Sequence, residues 1–256
     1  MKVVILAGGL GTRLSEETSV RPKPMVEIGT KPILWHIMKI YAAHGFTDFL
    51  VCCGYKGYVI KEYFSNFVLH GSDVSFDLSN GEVTVYHREL EPWNVTLVDT
   101  GDTTQTGGRI ARVATYLDGE DVFAMTYGDA VGPIDVTALK AFHEEQGTLA
   151  TVTAVRPPAR FGALEIEGDR VVNFKEKPEG GDAWINGGFF MLSPSVIDLI
   201  AGDSTAWEAE PLEHLAAAGQ LACFRHDGFW QPMDTLRDRD ELNRLWATGQ
   251  APWLQQ

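Results

Sequence analysis

The chain is 256 residues long, with 45% hydrophobic and 22% charged residues, as is usual for soluble globular proteins. This length allows a sizeable core and excludes a small stapled scaffold, while the composition excludes a disordered or fibrous chain. Asp and Glu number 35 against 21 Lys and Arg, a formal net charge of -14. The overall field therefore repels polyanions, which argues against nucleic acid as the main partner.

Cysteine usage and hydropathy bear on the compartment. The three cysteines include Cys52 and Cys53, which adjoin in an apolar run and provide no disulfide framework. The apolar stretch before Gly8 is too short for a signal peptide, and no apolar run is long enough for a membrane helix. We therefore predict a cytoplasmic protein that is neither secreted nor membrane-spanning.

Short apolar runs alternate with helical periodicity along the first half of the chain. A buried strand is predicted at 3–6, followed by a helix over 32–44 that has Pro32 in its first turn and stops at Gly45. Further strands are predicted at 49–53, 74–78, 83–87 and 122–127, and further helices at 58–67 and around 110–117. The turn residues at 79–81 predict that the strands on either side form a hairpin.

The second half continues the alternation. Strands are predicted at 149–155, 163–166, 170–174, 188–192 and 221–226, and helices at 134–146, 211–218 and 235–247. The strands on either side of Gly168 and Asp169 read as a second hairpin. The pattern predicts an α/β fold with a mainly parallel sheet flanked by helices and an antiparallel minority in the second half. We predict one domain over 1–256.

A glycine-rich loop follows the first strand, where open parallel sheets bind ligands. It reads Gly-Gly-Leu-Gly-Thr-Arg-Leu at 8–14, and its glycines permit a backbone that wraps a phosphate and exposes N–H donors. It fits neither the dinucleotide fingerprint nor the Walker loop, because Arg13 and Leu14 stand where those motifs need other residues. A plain tight turn is the alternative, and Arg13 favours a phosphate site.

Lys23 lies in the motif Arg-Pro-Lys-Pro at 21–24, within the same connection. The prolines on both sides restrict the backbone to extended conformations, which lowers the entropy lost when the ammonium group is held in one place. A solvated surface lysine is the alternative. Proximity to Arg13 along the chain favours a second phosphate contact.

Two aspartates are candidates for a magnesium site. Asp129 closes the predicted strand at 122–127, and Asp234 precedes the predicted helix at 235–247. Two carboxylates together with substrate phosphates are the usual way to hold Mg²⁺. The alternatives are that Asp129 is a turn former and Asp234 a helix N-cap. Sequence separation alone does not show whether the two side chains meet.

Weaker signals lie in the second half, where Lys177 is suited to a phosphate and Asn186 to sugar hydroxyls. Turn residues account for both about as well. Other chemistries lack support, since the chain has neither a Gly-x-Ser-x-Gly elbow nor a His-Glu-x-x-His motif. His36 is predicted to be a core or surface histidine and not a base.

Taken in order, the motifs at 8–14, 21–24, 127–129 and 176–178 resemble those of the sugar-1-phosphate nucleotidylyltransferases, over residues 1 to about 250. The resemblance implies a Rossmann-like nucleotidyltransferase sheet, with a nucleotide-binding half at 1–130 and a sugar-phosphate half at 131–256. It also implies an Mg²⁺-dependent enzyme in which Arg13 and Lys23 are catalytic and Asp129 and Asp234 hold the metal.

The resemblance also implies two substrate subsites. The sugar phosphate would contact Gly162, Glu176, Lys177 and Asn186. The nucleotide would contact Leu6, Ala7, Gly8, Gly9, Leu10, Gly11, Thr12, Arg13, Lys23, Thr104, Arg109 and Gly128.

Within the family the chain is most similar to the cytidylyltransferase branch, which implies CTP and glucose 1-phosphate as substrates. The segments 35–38, 52–57, 91–101 and 229–235 carry that likeness, and Phe-Gly-Ala at 161–163 departs from the Tyr-Gly-Val of the thymidylyltransferases. That branch implies a homo-oligomer, a hexamer assembled through about 60–107, and a product used to make dideoxyhexoses. The alternatives are a uridylyl- or thymidylyltransferase, a glycosyltransferase on a related sheet, or a non-catalytic regulatory homologue.

Overall fold

The structure is a computed structural model that describes residues 1–11, 14–88, 90–157, 163–167, 170–175 and 183–254. Its strands are β1 (Val3–Leu6), β2 (Glu27–Ile28), β3 (Lys31–Pro32), β4 (Asp48–Cys53), β5 (Ser72–Asp77), β6 (Glu82–Arg88), β7 (Asn94–Asp99), β8 (Phe123–Tyr127), β9 (Ala130–Val131), β10 (Ala150–Val155), β11 (Ala163–Glu167), β12 (Arg170–Lys175), β13 (Ile185–Leu192), β14 (Leu221–His226) and β15 (Gln231–Pro232).

The α-helices are α1 (Ser15–Thr18), α2 (Ile33–Ala43), α3 (Gly57–Ser65), α4 (Phe67–His70), α5 (Thr106–Arg112), α6 (Val136–Gln146), α7 (Glu210–Ala217) and α8 (Leu236–Ala247). Short 3-10 helices lie at Lys23–Met25, Ala114–Leu117, Pro194–Leu199 and Pro252–Leu254. Across the described ranges, every helix is too short or too polar to cross a lipid bilayer.

The central sheet has the strand order β14-β10-β13-β8-β1-β4-β7. Neighbouring strands are parallel except at β13, which runs antiparallel to both β8 and β10. The predicted α/β class, with a mainly parallel sheet and an antiparallel minority in the second half, is therefore confirmed. The hairpins β5–β6 and β11–β12 also form where the turn residues predict them.

The core lies on both faces of this sheet. Side chains alternate across a strand, so Val3 and Ile5 belong to one apolar cluster with α2, whereas Val4 and Leu6 belong to a second cluster with α5 and Trp207. All four residues of β1 are buried. Burial on both faces explains why β1 reads as a continuous apolar run.

Two of the predicted helices are each divided in the structure. The helix predicted at 58–67 is two helices, α3 and α4, and the helix predicted around 110–117 is α5 followed by a 3-10 turn. The sheet also contains β7, which was not predicted, pairing with β4 at the edge. Its sequence, Asn-Val-Thr-Leu-Val-Asp, is half-buried or exposed and mixes polar with apolar residues, so it lacks the apolar run of a central strand.

Candidate active site

A cavity of about 300 Å³ opens at the carboxyl edge of the sheet, beyond β1 and β8. Parallel strands end at the same edge, so the loops that follow them converge there. The predicted residues that line it are Leu6, Ala7, Gly8, Gly9, Gly11, Lys23, Thr104, Arg109, Gly128, Asp129 and Asp234. Leu10 is not among the lining residues and is 57% exposed. Thr12 and Arg13 lie outside the described residues.

The backbone at the end of the glycine-rich loop is held by contacts with Thr18 of α1. Gly11 has a φ of +64°, a left-handed conformation that suits glycine, and a Cβ there would lie 2.7 Å from Thr18 Cγ2. The Thr18 hydroxyl donates to the carbonyl oxygens of Gly11 and Leu14, each at 3.1 Å. The loop is thus fixed by α1, whose Thr18 bonds back to the loop that precedes it.

Arg109 joins the loops that follow three neighbouring strands. Its guanidinium donates to the carbonyl oxygens of Gly8 at 3.0 Å and Gly101 at 2.8 Å, and to the Thr100 hydroxyl at 2.7 Å. A longer bond of 3.3 Å reaches the carbonyl oxygen of Cys53. The side chain is buried, and burial lowers the pKa of its guanidinium. Much of the donor capacity of Arg109 is therefore used by the protein backbone.

Close packing around Arg109 explains two of the glycines. A Cβ on Gly8 or on Gly54 would overlap the Arg109 guanidinium, whereas a Cβ on Gly9 would meet nothing within 4 Å. The absence of a side chain at Gly8 therefore leaves the space that the Arg109 side chain of α5 occupies. The sequence pattern assigned all the glycines of this loop to phosphate binding, and it did not distinguish these roles.

Lys23 lies between the two predicted metal ligands. Its Nζ atom is 2.8 Å from Asp129 Oδ2 and 2.6 Å from Asp234 Oδ1, and the residue is 9% exposed. Burial by itself lowers the pKa of this ammonium, but the two carboxylates, Asp129 foremost, outweigh it and raise that pKa above its ordinary value. Lys23 is thus a charged lysine at the centre of the site, and not a solvated surface residue.

A small two-stranded ladder brings the two aspartates together. Asp129 lies two residues after the end of β8, and Asp234 lies two residues after the end of β15, which pairs antiparallel with β9. The N–H of Met233 also donates to the carbonyl oxygen of Asp129 at 2.8 Å. The pairing of β15 with β9 therefore places Asp234 beside Asp129, a contact that sequence separation left open.

The alternative assignment of Asp234 as a helix cap is wrong. The N-cap of α8 is Thr235, whose hydroxyl accepts from the N–H of Asp238, while the Asp238 carboxylate accepts from the N–H of Thr235. This reciprocal pair is a capping box. The Asp234 carboxylate therefore has no capping duty and faces Lys23.

The carboxylate pair fits a divalent cation such as Mg²⁺. Asp129 and Asp234 direct oxygens at one point of the cavity, where the Lys23 ammonium already lies as a cation. Among the residues that the structure describes, no cluster of three or more His, Cys, Asp or Glu side chains could hold a metal. Two carboxylates are nevertheless sufficient, because Mg²⁺ retains waters and takes the remaining oxygens from substrate phosphates.

Asn186, a predicted sugar-phosphate contact, is joined to the cavity through Tyr127. Its Nδ2 donates to the Tyr127 hydroxyl at 3.4 Å, and its Oδ1 accepts from the N–H of Gly188 at 2.8 Å. Tyr127 lines the cavity, and burial together with Glu208 raises the pKa of its hydroxyl. Gly162, Glu176 and Lys177 lie outside the described residues, so their predicted sugar-phosphate contacts stay predictions.

Four further residues line the cavity that were not predicted: Pro24, Gln105, Thr106 and Tyr127. Gln105 and Thr106 lie at the start of α5, in the connection that follows β7. Because β7 has no clear strand pattern, the residues themselves gave no signal for this connection, and the family resemblance named only Thr104 and Arg109 in it. The residue pattern that could have revealed it is the helix start at Thr106 with two glycines after it.

Comparison with known proteins shows which family the chain belongs to. The profile of the family described as "Nucleotidyl transferase" matches residues 2–235. The chain therefore belongs to the nucleotidyl transferase family, and it is an enzyme of that class. The predicted family membership and enzyme class are both confirmed.

Within the family, the chain is similar to proteins named as glucose-1-phosphate cytidylyltransferases. Glucose-1-phosphate cytidylyltransferase from Salmonella typhi is 62% identical over 253 residues, covering 99% of this chain and 98% of that protein. A probable glucose-1-phosphate cytidylyltransferase from Bacillus subtilis is 44% identical over 254 residues, covering 99% of each chain.

Solved structures agree on the fold. HddC from Yersinia pseudotuberculosis matches with a TM-score of 0.69 and 24% identity, over 96% of this chain and 99% of that one. A UDP-glucose pyrophosphorylase complexed with UDP-glucose matches with a TM-score of 0.67 and 16% identity, over 97% and 98% of the two chains. At these identities, the structural likeness concerns the fold alone.

Proposed function

We propose that this protein transfers a cytidylyl group from CTP to α-D-glucose 1-phosphate, giving CDP-glucose and diphosphate. The observation that carries the proposal is 62% identity over 253 residues to the glucose-1-phosphate cytidylyltransferase of Salmonella typhi. The cavity at the carboxyl edge of the sheet supports it, because Lys23, Asp129 and Asp234 meet there beside the glycine-rich loop.

The reaction needs charge and alignment more than a nucleophilic side chain. A phosphate oxygen of glucose 1-phosphate is already ionised at neutral pH, so it attacks the α-phosphorus of CTP without a general base. The new P–O bond forms as the bond to diphosphate breaks. The difficulty is that two polyanions must approach in a protein whose net charge is -14.

Cationic side chains offset that repulsion. Lys23 is buried, charged and fixed at the cavity, so its ammonium is placed to meet negative charge as it develops on the transferring phosphate. We infer that Arg13 adds a second positive charge from the glycine-rich loop, and that Lys177 holds the phosphate of the sugar. These groups align the attacking oxygen with the departing diphosphate.

We infer that the divalent cation is Mg²⁺ and that Asp129 and Asp234 would hold it. When bound, Mg²⁺ would neutralise charge on the phosphates and polarise their oxygens. The support is the convergence of the two carboxylates on one cation position in the cavity. Hard carboxylate oxygens are the ligands that Mg²⁺ prefers.

We infer that the two halves of the domain over 1–256 bind different substrates. The glycine-rich loop, Lys23 and Thr104 belong to 1–130 and would bind the nucleotide, while Asn186 belongs to 131–256 and would face the sugar phosphate. The bond between Asn186 and Tyr127 supports this division, because it joins the second half to a residue that lines the cavity.

We infer a homo-oligomer, with a hexamer as the form that the resemblance implies. The supporting observation is a group of apolar side chains exposed in the segment from about 60 to 107: Val68, Leu69, Phe76, Leu78, Val83, Tyr86 and Leu90. Exposed apolar patches of this kind mark protein interfaces.

We also propose that the enzyme acts in the cytoplasm and supplies CDP-glucose for the dideoxyhexoses of lipopolysaccharide O-antigen.

The direct test is product formation. Purified protein is incubated with CTP, glucose 1-phosphate and Mg²⁺, and CDP-glucose is identified by chromatography and mass. The matched control is Asp129→Asn, which removes a proposed metal ligand and should form little product. Parallel reactions replace CTP with UTP or dTTP, and product with one of these nucleotides but not with CTP would favour the uridylyl or thymidylyl alternative. Absence of product with all three nucleotides would favour the non-catalytic one.

A further inference from the structure

The most constrained charged group in the cavity is the Lys23 ammonium. It donates to both predicted metal ligands, at 2.8 Å to Asp129 Oδ2 and 2.6 Å to Asp234 Oδ1. Both bonds are charge-assisted, and bonds of that kind are stronger than neutral ones. The two carboxylates therefore already have a cation of their own.

The backbone around Lys23 holds this arrangement in place. Pro22 is extended, with φ -68° and ψ 151°, and Pro24 is the next residue of the 3-10 helix Lys23–Met25. The N–H of Val26 donates to the carbonyl oxygen of Lys23 at 3.0 Å. With the backbone fixed, a move of the ammonium away from the carboxylates requires rotation of the lysine side chain alone.

A divalent cation and the Lys23 ammonium compete for the same oxygens. A metal ligated by Asp129 Oδ2 and Asp234 Oδ1 would face a like charge in a partly buried site, where repulsion is weakly screened. Leaving the carboxylates also costs Lys23 its partners, and a buried ammonium without partners is unfavourable. The two cations therefore exclude each other unless Lys23 receives new acceptors.

We propose that Lys23 is the resident counter-cation of the Asp129–Asp234 pair, so that the free protein binds a divalent cation weakly and takes it up as a complex with a nucleoside triphosphate. The phosphates of that complex give the Lys23 ammonium new anionic acceptors while the carboxylates receive the metal. This inference rests on the proposed function for the arriving ligand. Its first part concerns the free protein and stands apart from any substrate.

The test is direct titration of the nucleotide-free protein with Mn²⁺, in which the electron paramagnetic resonance signal of the unbound ion measures how much Mn²⁺ the protein binds. Mn²⁺ is a suitable probe because carboxylates bind it as they bind Mg²⁺. In Lys23→Met, which removes the ammonium, Mn²⁺ should bind at one site at least about tenfold more tightly than in the wild type. Lys23→Arg keeps a positive charge and should bind Mn²⁺ as weakly as the wild type.

Two further variants locate the effect. Lys39→Met is the matched control, since Lys39 pairs with the single carboxylate of Glu91 at 3.1 Å, and it should leave Mn²⁺ affinity unchanged. Adding Asp234→Asn to Lys23→Met should abolish the gain. Loss of the counter-cation destabilises the carboxylate pair, so Mn²⁺ should also raise the melting temperature of Lys23→Met more than that of the wild type. Lys23→Gln repeats both measurements with a second neutral side chain.

Equal or weaker Mn²⁺ binding by folded Lys23→Met and Lys23→Gln would overturn the proposal. So would a gain that persists after Asp234→Asn. None of these titrations contains a nucleotide, so the two proposals can fail separately. If Lys23→Met gains Mn²⁺ affinity but the wild-type protein makes no CDP-glucose, the proposed function is refuted and the counter-cation role of Lys23 stands.

Discussion

The guanidinium of Arg109 donates a hydrogen bond of 3.0 Å to the carbonyl oxygen of Gly8. The bond joins α5, which follows the edge strand β7 in the chain, to the start of the glycine-rich loop after β1. The same guanidinium reaches the loops after β4 and β7 through Cys53 and Gly101. Arg109 therefore sets the relative positions of three loops at the carboxyl edge of the sheet.

Replacement of Arg109 by Ala should destabilise the protein. The substitution removes the guanidinium donor of the carbonyl oxygens of Gly8 and Gly101 and leaves Gly8 the longer bond of 3.3 Å from the Tyr55 N–H, at an expected cost of about 2 to 4 kcal/mol in unfolding free energy. Urea unfolding measures it. Arg112→Ala is the control, because Arg112 is exposed and pairs with Asp203 at the surface. A loss in Arg109→Ala no greater than in Arg112→Ala would contradict the role.

Gly8 and Gly9 should respond differently to a single methyl group. Gly8→Ala would overlap the Arg109 guanidinium, so we expect a loss of about 1 to 3 kcal/mol, as for overpacking in a core. Gly9→Ala meets open space, so its stability should stay within about 0.5 kcal/mol of wild type. Thermal melts of the two variants compare them directly. Similar losses in both would show that the loop rejects side chains generally.

Asp234→Asn should impair turnover without loosening α8. Asn keeps a side-chain oxygen that can accept from Lys23, and Thr235 remains the N-cap, so catalysis should fall sharply while unfolding free energy stays near that of the wild type. Thr235→Ala removes the actual N-cap and should cost about 1 kcal/mol in stability. The pair is compared by diphosphate release and by urea unfolding. Normal turnover in Asp234→Asn would remove it from the site.

His36 should make stability depend on acidic pH. It is fully buried and lies between the carbonyl oxygen of Ile28, 3.0 Å from Nε2, and the indole N–H of Trp253, which donates to Nδ1 over 3.2 Å. Burial lowers its pKa from 6.5 to about 4. Below pH 6.5 the unfolded chain takes up a proton that the folded protein refuses, so stability is complete above pH 6.5 and is lost as the pH falls towards 4.

The expected loss from His36 across that window is about 3 kcal/mol. Urea unfolding at several pH values in the wild type and in His36→Gln isolates it, since Gln does not titrate. His70→Gln, on the exposed helix α4, is the control. An equal slope of stability against pH in the wild type and His36→Gln would refute the assignment.

Lys177→Ala tests the division into two subsites. If Lys177 holds the sugar phosphate, its removal takes away a charge-assisted contact, and KM for glucose 1-phosphate should rise about tenfold to a hundredfold. CTP affinity, titrated without sugar, should stay within about twofold. A variant that loses CTP affinity but keeps its KM for glucose 1-phosphate would move Lys177 to the nucleotide side.

The fold was predictable where the residues of a single strand formed a recognisable hydrophobic pattern. The strand β1 is buried on both faces, so its apolar run predicted a central strand of a parallel sheet, and the glycines after it predicted the tight loop at its carboxyl end. The strand β7 lies at the edge, where polar and apolar residues are tolerated together, and its absence from the prediction also hid Gln105 and Thr106.

The parts of the site that depend on distant contacts could not be predicted. Asp129 and Asp234 meet through two residues of β15 pairing with two of β9, a ladder too short to have a pattern. Arg109 binds mainly backbone carbonyl oxygens, which every residue possesses, so no residue type marks its partners. The position of Lys23 between the aspartates depends on that pairing of β15 with β9 and was not anticipated, although each of the three residues was named.

The most direct test of the central claim is the specificity constant, kcat/KM, for CTP, UTP, dTTP, ATP and GTP, measured by diphosphate release with glucose 1-phosphate as the common acceptor. The account predicts that CTP gives the highest value, by at least about tenfold over every other nucleotide. A higher value for UTP or dTTP, or no diphosphate release with any of the five, would contradict it.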